Sequence, residues 1–165
     1  MTKSEFKQCF DQWFDPLRNF IHYRCGDAEI ATDVAQEAFM KVWEKNIEYH
    51  PHKTKGLLYK IAKELWISQH RKLDSARKYE LSLRIQEEEH TPEKTLEFKE
   101  LKQKYEAALT NLPPKQRTTF LMSRMENLSY KEIAERLEIS VKAVEKRMTL
   151  ALQSLRKTLA HGKYA

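Results

Sequence analysis

The chain has 165 residues, a formal charge of +6 and a mean hydropathy of −0.75, and 33% of its residues are charged. This composition is typical of a soluble protein, and no apolar run approaches the roughly 18 residues that a membrane span needs. Residues 1–5 lead into an amphipathic pattern instead of a signal-peptide core, and two cysteines indicate no disulfide framework. We therefore expect a cytoplasmic protein without membrane insertion. Only three glycines and five prolines interrupt the helical spacing, which predicts an all-α fold.

Charge is distributed unevenly along the chain. Residues 53–78 carry eight basic side chains against two acidic ones, whereas residues 80–106 carry eight glutamates against five basic residues. After Lys131 the balance becomes basic again. Two basic blocks separated by an acidic stretch predict two DNA-facing modules joined by a linker.

Three helices are predicted in residues 1–75, which we interpret as the first domain. The first has an apolar stripe, and Pro16 either kinks it or opens a second helix. Gly26 suits a left-handed helix end, and Asp27 caps a second helix over about 28–45. A polar loop is expected over 46–56 with Pro51 as a breaker, followed by a third helix from 57 to about 73.

Residues 76–92 are predicted to be a linker and residues 93–165 a second domain. Its first helix carries an apolar stripe of Leu96, Leu101, Tyr105, Ala108, Leu109 and Leu112, and Pro113-Pro114 stops it. A helix over 115–126 follows. Ser129, with Glu132 three residues later, then forms a capping box that opens a short helix.

Residues 128–148 have helix-turn-helix spacing. Ala134 is small where a second helix must cross the first, and Ser140 caps that second helix after a short turn at Glu138-Ile139. Such a helix enters a major groove about 12 Å wide with its N-terminal end first. The candidate DNA contacts are Ser140, Lys142, Ala143, Lys146 and Arg147. The alternative is an ordinary helical hairpin with a basic surface.

Residue patterns for catalysis are missing. There is no glycine-rich phosphate loop, no nucleophile elbow and no paired-carboxylate cleft, so we expect a protein that is not an enzyme. His50, His52 and His70 lack helical register and a cysteine partner, so neither a metal nor a cofactor is expected.

Four segments in order resemble the extracytoplasmic-function (ECF) sigma factors of RNA polymerase. The segments at 33–43 (DVAQEAFMKVW) and 58–63 (LYKIAK) resemble the family's conserved region two. Those at 112–117 (LPPKQR) and 128–134 (LSYKEIA) resemble its conserved region four. The resemblance covers nearly the whole chain and implies two small helical domains, the second containing the helix-turn-helix.

The resemblance also implies partners and sites. Core RNA polymerase, through its β′ and β subunits, and promoter DNA would be bound, and an anti-sigma factor would wedge between the domains. The β′ coiled coil would contact Asp33, Gln36 and Glu37. The loop at 46–56 would capture a flipped base of the minus-ten element, and the last helix would recognise the minus-thirty-five element. The minus-ten contacts would be Lys53, Lys55, Tyr59, Lys60, Lys63 and Arg71, with Trp66 as a second stacking surface or a core residue.

Glu64, Ala143 and Glu145 depart from residues that are common in the family, so base preferences do not transfer to this chain. Two alternative functions remain open from the residues alone. One is a stand-alone helix-turn-helix regulator whose first domain senses a signal. The other is an adaptor that binds polymerase without reading DNA.

Overall fold

The computed structural model describes residues 1–70 and 92–163, and within these ranges the chain forms seven α-helices and no strands. The helices are α1 (Lys3–Cys25), α2 (Ala28–Glu44), α3 (Pro51–His70), α4 (Pro92–Asn111), α5 (Pro114–Glu126), α6 (Tyr130–Leu137) and α7 (Val141–Lys163). The predicted all-α class is confirmed. Arg71 and the predicted linker, apart from Pro92, lie outside the described residues.

The ends of α1 and α2 follow local capping chemistry. Gly26 adopts a left-handed conformation with φ of 74° and ends α1, as the sequence predicts. The Asp27 side chain accepts hydrogen bonds from the backbone N–H groups of Glu29 and Ile30, both at 3.0 Å. Helix α1 continues through Pro16, so this proline does not open a second helix.

The loop predicted over residues 46–56 is longer than the loop in the structure. Helix α3 already begins at Pro51, because proline has no N–H to lose and a suitable φ at the first helical position. The hydroxyl of Thr54 accepts a hydrogen bond from the His50 backbone N–H at 3.0 Å and holds this start. Lys53, Lys55 and Gly56 therefore lie on a helix, and only the short segment before Pro51 is a loop.

The N-terminal half packs an aromatic cluster between α1 and α2. The rings of Phe10 and Phe14 stack at 4.5 Å between centroids, and Phe39 meets Phe10 edge-on at 5.1 Å. Trp66 of α3 is 1% exposed and is a core residue. In this conformation its ring is therefore not available as a stacking surface for a base.

The C-terminal half contains the predicted helix-turn-helix in α6 and α7. The Ser129–Glu132 capping box is present, and Glu138 makes the turn with φ of 54°. Ile133 and Val144 are completely buried at the angle between the two helices, and Ala134 is buried where they cross. The start of α4 departs from the prediction, because Leu96 and Leu101 are 60% and 58% exposed instead of packed in a core.

Buried residues of the two halves form one contiguous hydrophobic core. Helix α1 packs against α5, and α3 packs against α6, so each half covers part of the other. In this arrangement residues of the predicted DNA-contacting helices α3 and α7 line the same cavity. Among the described helices, none has an apolar stretch of the length and hydropathy that crossing a membrane requires.

Candidate functional site

The N-terminal end of α7 presents the predicted DNA contacts to solvent. Ser140, Lys142 and Lys146 are exposed, whereas Ala143 and Arg147 are half-buried. The Ser140 hydroxyl accepts a hydrogen bond from the Ala143 backbone N–H at 3.1 Å, which fixes the start of the helix. A helix whose first turn is capped and flanked by exposed cations has the charge and shape to enter a major groove.

Helix α2 carries the predicted polymerase contacts on its outer face. Asp33 and Gln36 are exposed, and Glu37 is half-buried with its carboxylate accepting a hydrogen bond from Gln69 Nε2 at 3.0 Å. Met40 lies on the same stripe and is 58% exposed, so an apolar side chain borders the polar set. Its spacing of four and three residues from Gln36 and Glu37 already predicts this position on the helix face that points away from the core.

Some of the predicted minus-ten contacts on α3 are exposed and others are buried. Lys53, Lys60 and Lys63 are exposed. Lys55 is only 8% exposed, with its ammonium 5.4 Å from the centroid of the Trp13 ring. Tyr59 is 5% exposed and packs on Phe20 with 5.1 Å between ring centroids. In this arrangement neither Lys55 nor Tyr59 is free to meet a nucleic acid.

Arg117 joins the two halves, and the sequence analysis did not single it out. Its Nε donates a hydrogen bond to the carbonyl of Tyr23 at 2.9 Å, and its Nη2 donates to the carbonyl of Arg24 at 2.7 Å. Nη1 donates to the carbonyl of Leu112 at the end of α4, at 3.1 Å. A cation in the first turn of a helix opposes the helix dipole, which was the one available hint that Arg117 has partners elsewhere.

A second set of contacts joins α1 to the end of α5 and to α6. Glu126 accepts a hydrogen bond from Asn19 Nδ2 at 3.4 Å and lies 3.6 Å from Arg136 Nη1. Arg136 in turn lies over the Trp13 ring, 5.6 Å from its centroid. Burial raises the pKa of Glu126, although the hydrogen bond from Asn19 and the charge of Arg136 act in the opposite direction.

A cavity of about 420 Å³ lies where α1, α3, α5, α6 and α7 meet, and we call it the interdomain cavity. Lys60 and Lys63 of α3 line it together with Arg147 of α7. The structure thus brings residues predicted to recognise two separate promoter elements to the same cavity. Gly56 lies against the Glu138 carboxylate, which a Cβ at this position would meet unless the Glu138 side chain rotated away. Among the described residues, no group of three or more potential ligands is placed to hold a metal ion.

Two family descriptions match the chain in the order of its two halves. Residues 9–76 match the model for sigma-70 region 2, and residues 102–155 match the model for sigma-70 region 4. The chain belongs to the ECF sigma factors of the sigma-70 family. Proteins of this family are not enzymes, and they direct RNA polymerase to promoters.

Individual relatives agree with this assignment. The sigma factor is 30% identical over 152 residues to ECF RNA polymerase sigma factor SigE of Mycolicibacterium smegmatis, and it spans 59% of the length of that relative against 90% of its own. It is 29% identical to ECF RNA polymerase sigma factor SigW of Bacillus subtilis, covering 93% of this chain and 88% of the relative. It is 27% identical to the ferric citrate uptake sigma factor FecI of Escherichia coli, covering 83% and 80%.

A solved structure shares the fold. The sigma factor RpoE of Bartonella quintana, crystallised with the anti-sigma factor NepR, superposes on this sigma factor with a TM-score of 0.59. The match covers 94% of this chain and 96% of the other at 21% identity. The predicted fold of a region 2 and a region 4 domain with a helix-turn-helix is confirmed.

Proposed function

We propose that this sigma factor binds core RNA polymerase through α2 and directs initiation at promoters that α3 and α7 recognise. The observation that carries the proposal is the helix-turn-helix in region 4, whose capped recognition helix α7 exposes Lys142 and Lys146 at its N-terminal end. Because it would act with polymerase, we propose a cytoplasmic location for this sigma factor.

Polymerase docking is assigned to the outer stripe of α2. Asp33, Gln36 and Glu37 offer carboxylate and amide groups, and Met40 adds an exposed apolar anchor beside them. Protein interfaces typically combine an apolar centre with a polar rim, and this stripe has both. The family resemblance implies the β′ coiled coil as the partner of this stripe. It also implies the polymerase β subunit as a partner of the sigma factor.

Promoter recognition is assigned to two helices with different targets. Lys53, Lys60 and Lys63 of α3, with Lys55, Tyr59 and Arg71 in the same region, would hold the minus-ten strand in a basic groove. Ser140, Lys142, Ala143, Lys146 and Arg147 of α7 would read the minus-thirty-five element. Because Lys55 and Tyr59 are 8% and 5% exposed here, the packing around α3 must open before these two side chains can contact single-stranded DNA.

We also propose the domain boundaries that the sequence predicts: a first domain over 1–75, a linker over 76–92 and a second domain over 93–165. An anti-sigma factor is the further partner proposed for this chain. The support is that the Bartonella sigma factor of the same fold was crystallised with one.

The test is run-off transcription from fragmented genomic DNA with purified core polymerase, with and without the sigma factor. New discrete start sites that share a two-part upstream element are the expected result. A variant with alanine at Asp33, Gln36 and Glu37 should lose these starts, whereas Asp11→Ala, an exposed acid on α1, should retain them. Folded protein and active core without new starts would overturn the proposal. A gel shift without core polymerase would then distinguish the two alternatives. Specific binding to duplex DNA would indicate a stand-alone regulator, and its absence would indicate an adaptor.

A further inference from the structure

The interdomain cavity has the size of a small-ligand pocket. Its volume of about 420 Å³ lies within the range of about 300–1,000 Å³ that is usual for such sites. Five helices from both domains contribute to its wall. A duplex, whose major groove alone is about 12 Å wide, is far too large to enter it.

The wall of the cavity is strongly basic. Six cations line it, against Glu138 as the one acid among the described lining residues; the six are Arg24, Lys60, Lys63, Lys115, Arg136 and Arg147. The Arg136 charge is shared with Glu126, which lies 3.6 Å away. The other five come from four different helices, so their charges converge on one space from several directions.

Lys63 is one of the cations that this environment affects. Burial lowers the pKa of its ammonium, and the neighbouring charges of Arg24, Lys115 and Arg147 lower it further, with Glu64 acting in the opposite direction. Neighbouring like charges repel each other, and this repulsion opposes the closed arrangement of the two domains. An anion in the cavity would remove that repulsion.

Buried hydroxyl groups complete the lining. Thr118 is 3% exposed, and its Oγ1 has no hydrogen-bond partner within the part of the chain that the structure describes. A buried hydroxyl without a partner has lost its hydrogen bonds to water, and a bound acceptor would restore one. Tyr59 is the second hydroxyl, and burial raises its pKa, so the group stays protonated and able to donate at neutral pH.

We propose that the interdomain cavity binds a small multivalent phosphate, such as a di- or triphosphate group, which bridges the two domains. Converging ammonium and guanidinium groups together with hydroxyl donors are the chemistry that recognises phosphate oxygens. A multivalent anion is required because a single negative charge would neutralise only a small part of the wall. Lys115 and Thr118 of α5 contact it from one side, and Lys63 of α3 from the other.

The bound anion stabilises the closed arrangement by mass action, since it binds both domains only when they are together. With the anion bound, Lys63 is engaged in the cavity and is not available to promoter DNA. This regulatory consequence rests on the proposed function, whereas the binding site itself does not.

The experiment titrates the full-length sigma factor alone with sodium tripolyphosphate at constant ionic strength and follows heat release by calorimetry. We expect saturable binding at one site per chain, with sodium sulfate at the same ionic strength failing to reproduce it. Lys115→Gln should weaken the affinity about tenfold, because one charge-assisted contact is lost. Lys157→Gln removes an equal charge from an exposed position of α7 outside the cavity and should leave the affinity unchanged.

Thr118→Val separates ligand binding from folding. The substitution removes a hydroxyl without a partner and keeps the shape, so the melting temperature without the probe should not fall, while the affinity should drop by about threefold to tenfold. Small-angle scattering should show that the radius of gyration does not increase when the probe is added. The proposal is overturned if binding does not saturate, or if Lys115→Gln and Lys157→Gln bind the probe equally. Because neither polymerase nor DNA is present, such a failure would leave the proposed sigma function untouched.

Discussion

The guanidinium of Arg117 donates a hydrogen bond of 2.9 Å to the backbone carbonyl of Tyr23, across 94 positions of sequence. Arg117 lies on α5 of region 4 and is 7% exposed, whereas Tyr23 lies in the last turn of α1 in region 2. The carbonyls at a helix C-terminus lack partners within the helix and carry partial negative charge, so they are well matched to a buried cation. The contact therefore holds the two domains together through backbone atoms.

Replacing Arg117 should open the protein. Arg117→Gln removes the charged fork that reaches both Tyr23 and Arg24, and hydrogen bonds to a charged group contribute about 1.5–3 kcal/mol each. We expect a larger radius of gyration in small-angle scattering and a lower midpoint in urea. Arg124→Gln, an exposed arginine of the same helix, is the matched control. Wild-type scattering and stability in Arg117→Gln would show that other contacts hold the domains together.

Glu126 should make stability depend on pH in a defined direction. Its folded pKa is raised above the ordinary value of 4.5, mainly by burial, so folding favours the protonated carboxyl. Its contribution is fully present below the unfolded pKa and is lost as the pH rises through the folded pKa. The free energy of unfolding of the wild type, minus that of Glu126→Gln, should therefore fall as the pH rises above the ordinary value of 4.5. Urea titrations at several pH values measure this difference, and a difference that rises with pH would refute the assignment.

Local sequence signals predicted the helix ends and the helix-turn-helix because capping depends on neighbouring residues. Gly26, Asp27 and Ser129 each act within four positions, so their roles are visible from the sequence. Pro51 misled the analysis, since proline is compatible with a first helical turn as well as with a loop.

The closed arrangement could not be predicted in the same way. The acceptors of Arg117 are main-chain carbonyls, which every residue possesses, so no residue type marks them. Within the N-terminal half, the burial of Lys55 likewise depends on Trp13 of another helix. Both contacts depend on how α1 packs against the other helices, and the periodicity of a single helix does not determine that packing.

Met40 should contribute to polymerase affinity beside the polar residues of α2. Its 58% exposure means that Met40→Ala removes apolar contact area without making a cavity. We expect circular dichroism and urea stability to be unchanged and the affinity for core polymerase to fall by about fivefold or more, as for truncation of an interface anchor. Fluorescence anisotropy with labelled core gives the dissociation constant. Equal affinities for Met40→Ala and the wild type would remove Met40 from the interface.

Gly56→Ala should stabilise the protein although its Cβ meets the Glu138 carboxylate. The contact involves the far end of an exposed side chain, which can rotate away at little cost. Alanine in a helix interior is favoured over glycine by about 0.5–1 kcal/mol. A rise in the melting temperature is expected, and a larger rise in a Glu138→Ala background, where the obstacle is gone. Destabilisation in both backgrounds would mean that the backbone of α3 itself cannot accept a side chain there.

Lys146 should bind promoter phosphates from the exposed side of α7. A lysine that contacts one phosphate contributes about one unit to the slope of affinity against salt concentration, and it weakens binding similarly for all sequences. Lys146→Ala should therefore reduce holoenzyme affinity for every promoter of this sigma factor and lower the salt slope by about one. Lys157→Ala, farther along the same helix, should leave both quantities unchanged. A loss confined to some promoter sequences would instead assign Lys146 to base readout, and no loss would favour the adaptor function.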